Sequence, residues 1–289
     1  MIYFLFLLTS VSSVVSVALS KIYRKPISDP KLADSIYFIV NVPVALIYFA
    51  LMCGFNLKVN LITLIFSLAF SFLCYGGVLF QLRALSHTTM LNTSLFSSGG
   101  SIILSSMAGV VFFGEQIPLK SALGLVFTLI SLLVPYFATK KQKTSLIGFA
   151  FCLLLFINSG LVRIIMKMYL TTPGCLGENT FCFYTNVFLA PLVVLMQRKD
   201  FFNKNTYKQM PKYKKSVILV VVAVVLANLS TLISMIIVGK VDLFFSSVFA
   251  PALAICINFL FDTVVFKEKI RVSGIMSVIF AIIAVALMI

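Results

Sequence analysis

Charge is what this sequence has least of. Its 289 residues include 23 basic and only eight acidic side chains, 11% charged in all against 61% hydrophobic. A soluble globular chain is nearer a quarter charged and half apolar. So few charges cannot clothe a water-facing surface of this size, which excludes an ordinary soluble domain; lipid removes the need for such clothing. Histidine is scarcer still. The one copy, His87, stands at a short loop with neither Cys nor acid beside it in the sequence. No Gly-rich phosphate loop, zinc spacing or nucleophile elbow is present. An enzyme is therefore not expected, nor ATP, nor any metal or other cofactor. The six cysteines carry no metal pattern: Cys53, Cys74, Cys152 and Cys256 lie in or at the ends of apolar stretches and read as packing residues. Cys175 and Cys182 flank one short loop and are expected to be free thiols, with a disulfide as the alternative.

What is present in excess is positive charge and long apolar runs. The formal net charge of +15 does not point to nucleic acid, because the basic residues sit in short stretches between apolar runs, as orientation signals do. About 20 apolar residues in helical conformation cross the hydrocarbon of a bilayer. Cutting at charged and Pro/Gly-rich breaks gives ten such spans: Ile2–Ser20, Leu32–Cys53, Val59–Leu85, Met90–Phe113, Ser121–Thr139, Thr144–Tyr169, Asn179–Met196, Ser216–Val238, Leu243–Phe266 and Val272–Ile289. The first lacks a basic leader and a clean small-residue cleavage site, so it reads as a span rather than a signal peptide. Helices are the expected conformation, since backbone polar groups in lipid must be satisfied within the segment.

The connections after odd-numbered spans hold nearly all the positive charge. Lys21, Arg24, Lys25 and Lys31 follow the first, Lys140, Lys141 and Lys143 the fifth, seven basic residues from Arg198 to Lys215 the seventh, and Lys267, Lys269 and Arg271 the ninth. The other connections offer only Lys58, Lys120 and Lys240. The positive-inside rule places the odd-numbered connections in the cytoplasm and both termini outside a cell membrane.

The two halves resemble each other. A shift of 153 residues pairs Ser94, Phe96, Val111, Phe113, Glu115, Ile117 and Phe127 with Ser247, Phe249, Val264, Phe266, Glu268, Ile270 and Phe280. A shift of 145 pairs Phe38, Asn41, Val42 and Ala45 with Phe183, Asn186, Val187 and Ala190. A shift of 146 pairs Ser13, Lys21 and Tyr23 with Ser159, Lys167 and Tyr169. Five spans per repeat is odd, so the second copy enters the membrane inverted. The expected fold is thus an all-α membrane protein of ten transmembrane helices in two inverted five-helix repeats, residues 1–139 and 140–289, with a site near the midplane between them.

Two five-helix repeats, each with an acidic residue between its fourth and fifth helices, resemble EamA-type members of the drug/metabolite transporter superfamily. Phe113-Gly114-Glu115 with Gly124 nine positions on, Phe266-Lys267-Glu268 with Gly274 following, and Pro251 in the ninth span carry the resemblance over nearly the whole chain. It implies a secondary transporter in which the fourth and ninth helices help to line the central cavity. The chain departs from that pattern at Ser277, where the repeat would place glycine, and in orientation, since the family's termini are usually cytoplasmic.

Candidate site residues follow from polar groups inside apolar spans. Seven of the eight acids lie in connections or at span ends; Asp262 lies within a span, one turn from its end and near Lys267, and reads as an interfacial ion pair. No acid occurs in the first span, which disfavours cation/proton antiport through a first-helix glutamate. Arg83, Arg163 and Lys167 can all snorkel to an interface, whereas an Arg163 facing a cavity would hold a carboxylate or phosphate. Asn41 with Asn186, and Tyr75 with Asn228, are repeat mates that either bridge helices or meet a ligand. Gln81 and Asn158 are weaker versions of the same case, and Ser97 heads the small-residue stripe Ser97, Ser101, Ser105, Gly109. A small-molecule substrate held by Asn41, Tyr75, Gln81, Ser97, Asn158, Arg163, Asn186 and Asn228 is therefore the expectation, in the bilayer, with a homodimer as an allowed assembly. A flippase for a lipid or lipid-linked sugar, and a membrane-embedded enzyme, are the rival classes.

Overall fold

The structure, a computed structural model, describes residues 2–24, 26–27, 29–55, 57–87, 90–138, 146–196, 207, 210–264 and 272–288. It contains ten α-helices among these residues: α1 Ile2–Arg24, α2 Pro30–Met52, α3 Leu61–His87, α4 Met90–Phe113, α5 Leu119–Ala138, α6 Leu146–Thr171, α7 Glu178–Met196, α8 Lys214–Lys240, α9 Leu243–Val264 and α10 Val272–Met288, with a 3₁₀ turn at Met210–Tyr213 before α8. Each expected span has its helix. Eight are long and apolar enough to cross a membrane; α5 and α10 offer shorter apolar stretches, Leu119–Val134 and Val272–Met288. Helices overrun the apolar runs wherever a charged residue is tolerated, as α1 does through Arg24 and α8 from Lys214 to Lys240. Pro43, Pro191 and Pro251 lie inside α2, α7 and α9, where each removes one backbone donor.

The chain forms two compact units, each drawing on both halves of the sequence. The first comprises residues 1–11, 76–171 and 235–289, the second 12–75 and 172–234.

In the first unit α5 packs against α10. Phe127 stacks on Phe280 at 6.0 Å between centroids, the Ser277 hydroxyl donates to the Ser131 carbonyl at 2.5 Å, and Gly124 faces Ala284 and Met288. Rising numbers in one helix meet falling numbers in the other, so the pair is antiparallel. Ser277, which stands where the repeat would have glycine, thus ties the two helices together. A second close pair is α4 with α6. Gly160 lies against Leu104 and the Gly100 carbonyl, and a Cβ on Gly100 would collide with the Phe156 carbonyl; only glycine permits that approach. The Ser159 hydroxyl donates to the Ser97 carbonyl at 2.7 Å. These two helices run in the same direction, with the α4–α5 connection beside the last turns of α6. Phe6 meets Phe245 and Phe249 edge-to-face and Tyr3 meets Phe249 tilted, which joins α1 to α9, while Phe245 and Phe249 stack within α9.

In the second unit the last turn of α2 meets the first turn of α7. The Asn179 amide donates to the Met52 carbonyl at 3.4 Å, and the Cys53 thiol lies 4.0 Å from the Thr180 hydroxyl. The Asn60 amide donates to the Gly174 carbonyl at 2.5 Å and the Leu176 N–H to the Thr63 hydroxyl at 3.2 Å, so the α2–α3 and α6–α7 connections close one end together. At the other end Tyr23, Ile27, Ala33, Ile36, Val40, Val220 and Val224 form a buried cluster. Above it Arg24 bonds the Tyr23 hydroxyl at 3.1 Å and the Asp34 carboxylate at 2.6 Å. All six thiols are free.

Candidate functional site

A dense polar constellation sits in the first unit. Glu115 lies just beyond α4, where the Gly114 backbone at φ 63° turns the chain and the Glu115 N–H donates to the Gly109 carbonyl at 3.0 Å. Its carboxylate is 5% exposed and accepts the Leu243 and Phe244 N–H groups at 2.6 and 2.8 Å. Those are orphan donors at the N-terminus of α9, the positive end of its dipole, where a carboxylate is the favoured partner. Gly109 leaves room for it, since a Cβ there would come within 2.5 Å of the Glu115 oxygen. Lys167 lies 3.7 Å from the same carboxylate and donates to the carbonyls of Val238 and Val241 at 3.2 and 3.0 Å, the negative end of α8. One ion pair thus caps both helices of the α8–α9 turn. The Lys167 ammonium is 13% exposed and is engaged by this carboxylate and the two carbonyls at the helix ends. No sequence signal marks the cap, because Glu115 and Leu243 stand 128 residues apart.

Arg163 lies one turn before Lys167 in a different state. Cys152, Leu155, Ser159, Arg163 and Met166 follow one another at three- and four-residue steps along α6, the spacing of one helix face. Cys152, Leu155 and Met166 on that face are buried, whereas Leu153, Leu154, Ile157, Leu161 and Met168 on the opposite face are exposed. Arg163 is half-buried on the protein-facing side, and makes no hydrogen bond or ion pair among the described residues. Asn158, also buried, directs its amide at the Gly76-Gly77 backbone of α3, where a Cβ on Gly77 would fall 2.6 Å from Nδ2. It too has no hydrogen-bond partner among the described residues. The Ser97 carbonyl accepts from the Ser159 hydroxyl. Gln81 is exposed. Further along the Ser97 stripe, the buried hydroxyls of Ser101 and Ser105, with that of neighbouring Ser106, have no partner among the described residues.

The other four candidates belong to the second unit. Asn186 and Asn228 turn their amides back onto their own helices, donating to the Cys182 and Val224 carbonyls at 2.8 and 2.9 Å. Among the described residues neither bridges two helices; each gives one amide N–H to the carbonyl one turn back. Asn41 is half-buried, and Tyr75 is buried with its ring 5.7 Å from that of Phe38. The side chains of Asp262, Lys267 and Glu268 lie outside the described residues. Among the described residues no group of His, Cys, Asp and Glu could hold a metal ion.

No family model matches this chain and no curated protein matches it. A solved crystal structure does: it superposes with a TM-score of 0.68, covering 98% of this chain and 94% of its own, at 15% sequence identity. At that identity the likeness speaks for the fold alone.

Proposed function

We propose that this chain is a secondary transporter of the EamA-like, drug/metabolite type, moving a small metabolite across the cytoplasmic membrane by alternating access. The observation that carries this reading is the antiparallel packing of helices five places apart in the chain, α5 on α10 and α2 on α7. An inverted repeat brings a helix against its own mate at the pseudo-two-fold axis, and Phe127 on Phe280 is a pair of repeat mates in contact. Repeats of this kind let one half rock against the other, so that a single site faces each side in turn. Polar groups without a partner among the described residues on an apolar helix, Asn158 and Arg163, are what a substrate would satisfy. The test is counterflow. Purified protein in liposomes preloaded with unlabelled solute should accumulate the labelled form of one member of a panel of carboxylates, amino acids, nucleosides, sugars and amines. Absence of counterflow across the whole panel, with protein correctly folded in the vesicles, overturns the reading.

A further inference from the structure

Taking the transporter reading above as its basis, we infer that Arg163 is the docking cation for a small oxyanion, so that the substrate carries a carboxylate or a phosphate. Depth comes first. Arg163 lies about 7 Å past the middle of α6, at 1.5 Å per residue, well inside a hydrocarbon half-thickness of about 15 Å. Snorkelling would have to run toward the nearer, C-terminal end of the helix. Side chains leave an α-helix tilted toward its N-terminus, so Arg163 leans back toward the middle of the bilayer. It also stands on the face with buried Leu155 and Met166, away from exposed Leu161 and Met168.

Charge compensation comes next. The neighbouring cation, Lys167, is neutralised by Glu115 and holds two carbonyls besides. Arg163 has no counter-ion among the described residues, and an arginine inside a membrane is costly enough that it ordinarily pairs or marks a substrate path. The repeat separates scaffold from specificity. Lys167 has a basic mate, Lys21, in the same 146-residue register, whereas the mate of Arg163 in that register is Val17. The guanidinium's planar fork matches the two oxygens of a carboxylate or phosphate and binds them in parallel hydrogen bonds.

The oxyanion can come from a free solute or from a lipid headgroup, and the test separates them. The full chain is placed in nanodiscs of phosphatidylcholine alone and titrated calorimetrically with sodium benzoate and with inorganic phosphate. At least one should bind saturably at one site per chain, Arg163→Gln should weaken it ten-fold or more, and Arg163→Lys should retain part of the affinity. Because Arg163→Gln can fail to fold, a second measurement uses the unaltered protein: phenylglyoxal modification of Arg163, read by mass spectrometry, should be slowed by the bound anion. Protection in nanodiscs containing phosphatidylglycerol, with no anion added, assigns the oxyanion to a headgroup. Equal binding by Arg163→Gln, or no binding and no protection under any condition, overturns the site. Arg163-dependent binding without counterflow of any solute would defeat the transporter reading and leave the site standing. Counterflow of a neutral or cationic solute that Arg163→Gln leaves intact would do the reverse.

Discussion

Glu115 shows how much one side chain can hold where helix ends meet. It supplies the acceptor for two orphan N–H groups and the counter-charge for a nearly buried lysine. Removing one partner of such a pair strands the other, typically at a cost of about 3 kcal/mol. Glu115→Gln keeps one acceptor and loses the charge, so it should lower the melting temperature in detergent clearly, and Glu115→Ala further; Lys167→Met in the Glu115→Gln background should recover part of the loss. An unchanged melting temperature for Glu115→Gln would mean the cap is not formed in the membrane. The serines make the opposite case. Ser105 is fully buried with an unpartnered hydroxyl, and deleting such a group removes a desolvation cost of about 1 kcal/mol or more. Ser105→Ala should therefore leave thermal stability unchanged or raised, and a marked fall would show that the hydroxyl does have a partner. The glycines divide by what they face. Gly100→Ala must displace the Phe156 backbone, whereas Gly77→Ala meets the end of the Asn158 amide, so Gly100→Ala should cost far more in folded yield than Gly77→Ala.

At the scale of elements, helix existence was legible because lipid allows few alternatives: a run of about 20 apolar residues becomes a helix or does not cross. The ends were less legible, since the apolar run stops at Ser20 while α1 continues to Arg24, where Asp34 and the Tyr23 hydroxyl receive the guanidinium. Pairings were hardly legible at all. Polarity drew attention to Asn186 and Asn228, yet an amide can satisfy itself one turn back, which composition does not reveal. Ser277 was seen as a missing glycine and turned out to donate to Ser131. Arg163 was legible as a cation in an apolar run; that it has no partner among the described residues needed the structure. The α5–α10 pairing is testable directly. In a background without native cysteines, Ser131→Cys with Ser277→Cys should cross-link under mild oxidation, while Leu133→Cys with Ser277→Cys, the former on the exposed side of α5, should not. Equal cross-linking in the two pairs would mean that α5 does not present Ser131 to α10.

At the scale of the whole molecule, orientation is the property most exposed to failure. By the positive-inside rule the α2–α3 and α6–α7 connections, which carry Cys53 and Cys175, are expected outside the cell. Burial pushes both thiols up, with the Thr180 hydroxyl offsetting part of the effect at Cys53. The thiolate is the reacting species, so an impermeant maleimide added to intact cells should label both slowly at neutral pH and faster as pH rises. Labelling confined to permeabilised cells would invert the topology. Arg163, without a counter-ion among the described residues, has one more consequence, and it is electrical. A unit charge moved through a full membrane potential of 100 mV changes energy by about 2.3 kcal/mol, and a charge near the middle of the bilayer feels a fraction of that when access shifts from one side to the other. On the transporter reading proposed above, a bound monoanion would cancel the charge of Arg163 and the loaded carrier would turn over without regard to voltage, whereas the empty one would carry the arginine's charge. Exchange, in which the carrier never crosses empty, should therefore be indifferent to a potassium diffusion potential imposed with valinomycin. Net flux, which requires the empty carrier to return, should accelerate with one polarity and slow with the other.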